Sequence, residues 1–161
     1  MTKDNDRILV LGVGNILLSD EAVGVRVAEA VGADPRAAAL GLRALDGGTM
    51  GLSLLVEMED AGALIVVDAA QLGAEVGAVR VFTGAEMDGF LRRRGRSPHD
   101  IGLDDLMDGL RLRGAVPARR ALVGIEPAVL TIGEALSPQV AAAVPQAVEC
   151  ILNLAQSWRG S

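Results

Sequence analysis

Four titratable side chains stand where an apolar run gives way to a turn or a helix start: Glu21, Asp46, Asp68 and His99. Glu21 follows Asp20 in "GVGNILLSDEAVGV". Asp68 ends the apolar run "ALIVVDAA", and Asp46 opens the glycine-rich "LDGGTMG". His99 is the single histidine and lies in "SPHD". Glu21, Asp68 and His99 make a mixed oxygen and nitrogen donor set. Such a set suits a divalent transition metal with open positions, as in a catalytic or docking site. Each residue also has a plainer role. Ser19 or Asp20 can cap a helix while Glu21 complements its dipole. Asp68 can form a turn, and Asp46 an Asx-turn. His99 falls in the first turn of a helix begun by Ser97, Pro98 and Asp100, where the positive dipole end favours the neutral imidazole.

These side chains converge only if the elements carrying them do. Arg7–Val13 and Ala63–Val67 are continuously apolar and β-branched, the pattern of central parallel strands covered on both faces. Gly41–Leu45, Val79–Phe82 and Arg120–Ile125 read as three further strands. Helical spacing marks Glu21–Val31, Met50–Asp60, Leu103–Leu110 and a long helix from Pro138 to about Gln156, with Ser137 as its N-cap. The order β-α-β-α-β-β-α-β-α predicts a three-layer α/β/α sandwich in one domain over residues 1–161. Glu21, Asp46 and Asp68 all follow strands, so they gather beyond the carboxyl ends of the sheet, where ligands of open α/β sheets bind. Gly47, Gly48 and Thr49 form a flexible loop beside Asp46 and are the candidate substrate-binding residues. The run "LRRRGRSPHD", Leu91–Asp100, reads as a solvated loop, or as a dock for an acidic segment.

Composition narrows the field. The 161 residues are half apolar yet only 2% aromatic, so Ala, Val, Leu and Gly must build the core. A net charge of −6 argues against a nucleic-acid surface and an anionic membrane. The single Cys150 permits no internal disulfide and, on an apolar helix, reads as a packed thiol. No signal peptide or membrane anchor is expected, which points to a cytoplasmic protein. No G-x-S-x-G elbow and no H-E-x-x-H occurs. Gly12 and Gly14 match two glycines of the dinucleotide fingerprint, but Leu17 stands at the third. Asp20 and Glu21 already occupy the field a diphosphate would need, and at an effective dielectric of about 20 their repulsion is on the kcal/mol scale.

"GVGNILLSDEAVGVR", "LDGGTMG", "VVDA", "SPHDIGLDDLM" and "VGIEPAVLTIGEALSP" together resemble the [NiFe]-hydrogenase maturation endopeptidases, in order and over nearly the whole chain. The resemblance implies a phosphorylase/hydrolase-like fold with a mixed five-stranded sheet, one strand antiparallel. It implies that Glu21, Asp68 and His99 match the family's metal-site residues and that Asp46 is the acid implicated in activity. The implied task is removal of a C-terminal extension from a hydrogenase large-subunit precursor after nickel insertion. The nickel then belongs to the substrate and serves as a recognition element. Zn²⁺ or Cd²⁺ could stand in at the site, and no organic cofactor is needed. The family is grouped with aspartic-type endopeptidases. A small peptidase with its own zinc, and a non-catalytic nickel-binding maturation chaperone, are the competing expectations.

Overall fold

The computed structural model describes residues 4–14, 19–47, 53–94, 103–128, 133 and 135–160. Five strands form one sheet: β1 (Asp4–Gly12), β2 (Leu42–Asp46), β3 (Ala61–Ala69), β4 (Val79–Thr83) and β5 (Arg119–Ile125). Their order across the sheet is β2-β1-β3-β5-β4. All pairs are parallel except β4 with β5, which is antiparallel. The mixed sheet with one antiparallel strand is the expected one.

The helices are α1 (Val23–Ala33), α2 (Pro35–Ala39), α3 (Leu54–Asp60), α4 (Ala85–Arg94), α5 (Leu103–Leu112) and α6 (Pro138–Arg159), and a 3-10 turn at Ser19–Ala22 leads into α1. Alternation along the strands divides the core in two. Ile8 and Val10 of β1, Ala63, Ile65 and Val67 of β3, and Val123 and Ile125 of β5 pack with α1 and α6. Leu9, Leu11, Leu64, Val66 and Leu122 face the other way and pack with α3, α4 and α5. The layers are those of an α/β/α sandwich.

Two helices depart from the sequence reading. α2 is a short helix, begun by Pro35 at its first turn and by the Asp34 carboxylate, which accepts from Arg36 N–H at 2.9 Å. α4 covers Leu91–Arg94, so the first part of the arginine run is the last turn of a helix and not a loop. Its apolar stripe is thin, with Met87 and Leu91 its buried residues, and three arginines follow one another at its end. The Leu103–Leu110 and Pro138–Gln156 readings extend to Leu112 and Arg159. The helix expected over Met50–Asp60 is described from Leu54 onward.

Candidate functional site

β1 lies between β2 and β3, and the chain leaves it first toward β2 and later toward β3. The carboxyl ends of β1 and β3 therefore flank a topological switch point, where an open α/β sheet leaves a crevice. Three close backbone approaches shape that crevice. Val13 N–H donates to the Val67 carbonyl at 2.9 Å, and Gly47 N–H to the Gly12 carbonyl at 2.7 Å. A Cβ on Gly12 would lie 2.5 Å from the Gly24 carbonyl oxygen, so α1 crosses directly over the strand end. Gly14 has φ of +131°, and a Cβ there would come within 1.9 Å of the Glu21 carbonyl oxygen. The two glycines of "GVGN" are thus explained by close packing, Gly12 against α1 and Gly14 against the turn that carries Glu21.

Asp20 and Glu21 divide their work. Asp20 is wholly buried, and it does not cap α1: the N-cap of that helix is Ala22, without a side-chain cap bond. The Asp20 carboxylate instead accepts from Ala128 N–H at 2.8 Å, Ser137 N–H at 2.6 Å and the Ser137 hydroxyl at 2.6 Å. It therefore ties the segment between β5 and α6 to the start of α1. Ser137 does sit at the N-cap of α6, but its hydroxyl goes to Asp20 and makes no cap bond of its own. Ser19 N–H donates to the Gly133 carbonyl at 2.7 Å and fixes the same turn from its other side. With its neighbour latched, Glu21 is half-buried at the mouth of the crevice, its Cγ 3.6 Å from where a Cβ on Gly14 would lie.

Asp68 is the penultimate residue of β3 and is buried. Burial pushes its carboxyl up to about 6. The Arg94 guanidinium works against that rise, the Glu21 charge adds to it, and an Ala69 N–H bond opposes it. Arg94 Nη1 donates to Asp68 Oδ2 at 3.1 Å from the last residue of α4. Two carboxylates close enough to repel, one of them buried, form a pair that a cation would relieve. Hard oxygen donors also fit a divalent ion. Among the described residues no group of three or more His, Cys, Asp or Glu side chains converges on one point. His99 lies outside the described residues, as do Gly48 and Thr49.

Asp46 sits apart from this pair. Gly12 pairs with Asp46 on one side and Val67 on the other, whereas Asp68 pairs with Gly124. Alternation then puts Asp46 on the α1 face of the sheet and Asp68 on the α4 face. A shallow pocket of about 110 Å³ beside Asp46 agrees, being lined by Val25, Ala28, Glu29 and Gly32 of α1 and by Ala44 and Leu45. The two acids lie two strand spacings apart, roughly 10 Å across the sheet. Gly47, the described member of the expected substrate loop, packs closely: a Cβ there would lie 2.8 Å from Leu11 Cδ1.

Sequence reasoning missed Arg94 and the Asp20 latch. Twenty-six positions separate Arg94 from Asp68, and no local pattern couples them. The Asp20 partners lie more than a hundred positions away and are largely backbone N–H groups, which leave no trace in residue type.

The sequence model of one family, described as hydrogenase maturation protease (HycI), matches residues 25–154. The hydrogenase 2 maturation protease of Escherichia coli K12 is 39% identical over 148 residues, spanning 91% of this chain and 88% of that protein. The hydrogenase expression/formation protein HupD of Rhodobacter capsulatus is 36% identical over 154 residues, spanning 95% and 73%. The structure of the hydrogenase maturating endopeptidase HybD from E. coli superposes with a TM-score of 0.80 at 36% identity, covering 94% of this chain and 93% of that one. The [NiFe] hydrogenase maturation protease HybD from Thermococcus kodakarensis gives 0.74 at 28% identity, covering 92% and 99%.

Proposed function

Because this chain belongs to the hydrogenase maturation proteases, a family of endopeptidases, we propose that it removes the C-terminal extension of a nickel-loaded [NiFe]-hydrogenase large-subunit precursor. Nickel carried by the precursor is its recognition element. Glu21, Asp68 and His99 supply the ligands by which the protease grips that ion. The observation that carries the reading is the buried Asp68 carboxyl beside the like-charged Glu21 at the switch point of the sheet. A doubly charged ion bridging the two removes their repulsion and replaces it with attraction. The grip holds the adjoining peptide in place, and positioning of this kind is worth roughly 7–11 kcal/mol in favourable cases.

Asp46 is the acid we assign to assist water attack on the scissile carbonyl, as an aspartic-type endopeptidase requires. Its distance from Asp68 across the sheet suits a division of labour, in which one edge of the crevice holds the ion and the other meets the peptide. Gly47, Gly48 and Thr49 are the residues we assign to binding that peptide.

The test is a paired digestion of nickel-loaded and nickel-free large-subunit precursor, with products weighed by mass spectrometry. Shortening of the nickel-loaded form alone is the expected result. Equal cleavage of both removes the recognition role of nickel. Binding without loss of mass favours a non-catalytic chaperone, and a stoichiometric zinc in the purified protein favours a resident-metal peptidase.

A further inference from the structure

We propose that Arg94 is a displaceable counter-cation of the metal-docking site, held on Asp68 so that the empty protease refuses free divalent ions and yields only to an ion delivered on its protein substrate. The inference rests on the assignment of Asp68 and Glu21 as metal-gripping residues and adds how that grip discriminates. Arg94 Nη1 stands 3.1 Å from Asp68 Oδ2. A metal ion bound to the same oxygen would sit at about 2.0–2.2 Å. Like charges at such a spacing repel, so an ion taken up on the side of Oδ2 that Arg94 occupies must displace the guanidinium.

The pair is built for departure. Arg94 makes one bond to Asp68, through one nitrogen. Arg120 on the same side of the sheet is held differently, by two bonds to both oxygens of Asp88 at 3.1 and 2.6 Å. The Arg94 side chain is 27% exposed whereas that of Asp68 is 11% exposed. Arg94 also ends its helix, so its stem can swing outward without unpacking α4. Asp68 cannot follow, being fixed in the central strand β3. Outside the crevice the guanidinium regains water, while the buried carboxylate loses its partner unless another cation replaces it.

Competition of this kind lowers the apparent affinity for a free ion by the fraction of molecules in which Arg94 is in place. An ion already seated in a folded precursor arrives with the contacts of a whole protein surface. Those contacts offset the displacement, and a hydrated ion has none. Selectivity then comes from a built-in obstacle as well as from an attraction.

Calorimetric titration with Ni²⁺, run on the wild type, Arg94→Gln, Arg94→Lys and Asp68→Asn, tests this together with melting curves in the absence and presence of the ion. Arg94→Gln should bind Ni²⁺ about tenfold more tightly than the wild type. Arg94→Lys, which keeps a cation in reach, should stay near the wild type. Without metal, Arg94→Gln should melt below the wild type, and Ni²⁺ should raise its melting point by more. Affinity for Arg94→Gln equal to or weaker than that of the wild type overturns the role of Arg94. If Asp68→Asn has at the same time lost binding, the docking site itself stands. Absence of Ni²⁺ binding in both the wild type and Arg94→Gln overturns the docking site and this inference with it.

Discussion

Asp68 carries the chemistry in its surroundings more than in its type. Its folded carboxyl lies at about 6, well above the ordinary range for an aspartate, so the folded protein binds this proton more tightly than the unfolded chain does. The resulting stabilisation is complete below about pH 4 and is lost as pH rises through about 6, a change of roughly 2–3 kcal/mol. Asp68→Asn should flatten that slope, and denaturant unfolding at a series of pH values between 4 and 7 checks it. An unchanged slope would show that another group is responsible. A protein that keeps an acid where burial disfavours its charge gives up stability at neutral pH, a common mark of a functional position. Asp20, one residue from Glu21, shows the opposite logic. Three donors among the described residues bond to it, and it serves to hold two distant segments together.

At the scale of elements, the end of β1 and the start of α1 behave as one unit, because glycine brings their backbones into contact. Gly14 lies at a positive φ with no room for a Cβ, and the atom it would strike is the carbonyl oxygen of Glu21. Gly14→Ala must therefore displace the very turn that presents Glu21. A loss of at least about 2 kcal/mol in stability is expected from strain and overpacking, together with loss of precursor processing. Chemical denaturation and the digestion assay report the two effects separately, and a fully stable, fully active Gly14→Ala would contradict the packing described. On the other face, α4 is fastened to β5 by the paired bonds of Asp88 and Arg120, and Arg120 holds the Asp88 carboxyl below the usual range. That fastening sets where Arg94 begins its reach toward Asp68.

The whole molecule places the two acid positions on opposite faces of one sheet, and in the proposed function that placement would separate gripping from cutting. Asp46→Asn should consequently leave Ni²⁺ binding near wild type while slowing processing by at least tenfold, since general acid–base assistance contributes typically 10²–10⁴-fold. Titration calorimetry and timed digestion give the two numbers. Normal processing by Asp46→Asn would remove that acid from the mechanism. Among the described residues no helix is long and apolar enough to cross a membrane. The exposed ion pairs at the surface, such as Arg36 with Asp34 and Glu149, contribute little to stability.

The strands were legible in the chain because a buried parallel strand is an unbroken apolar run, and β1 and β3 are such runs whatever surrounds them. The amphipathic helices α1, α5 and α6 were legible for a similar reason: their buried stripe repeats at helical spacing. The position of Glu21 past the end of β1 followed from those elements. So did that of Asp68 at the carboxyl end of the third strand, although β3 runs on through Ala69 and takes Asp68 in as its penultimate residue. The likeness to a protease family followed from the motifs between them. Tertiary structure alone decided the rest. α4 hides its character behind three arginines and a stripe of two buried residues, so only its packing on β4 and β5 makes it a helix of the core. Arg94 meets Asp68 across the fold, and Asp20 spends its charge on backbone N–H groups far along the chain. Local periodicity encodes which face of an element is apolar. It carries no record of which distant donor will come to rest against a given carboxylate, because that depends on how all the layers pack at once.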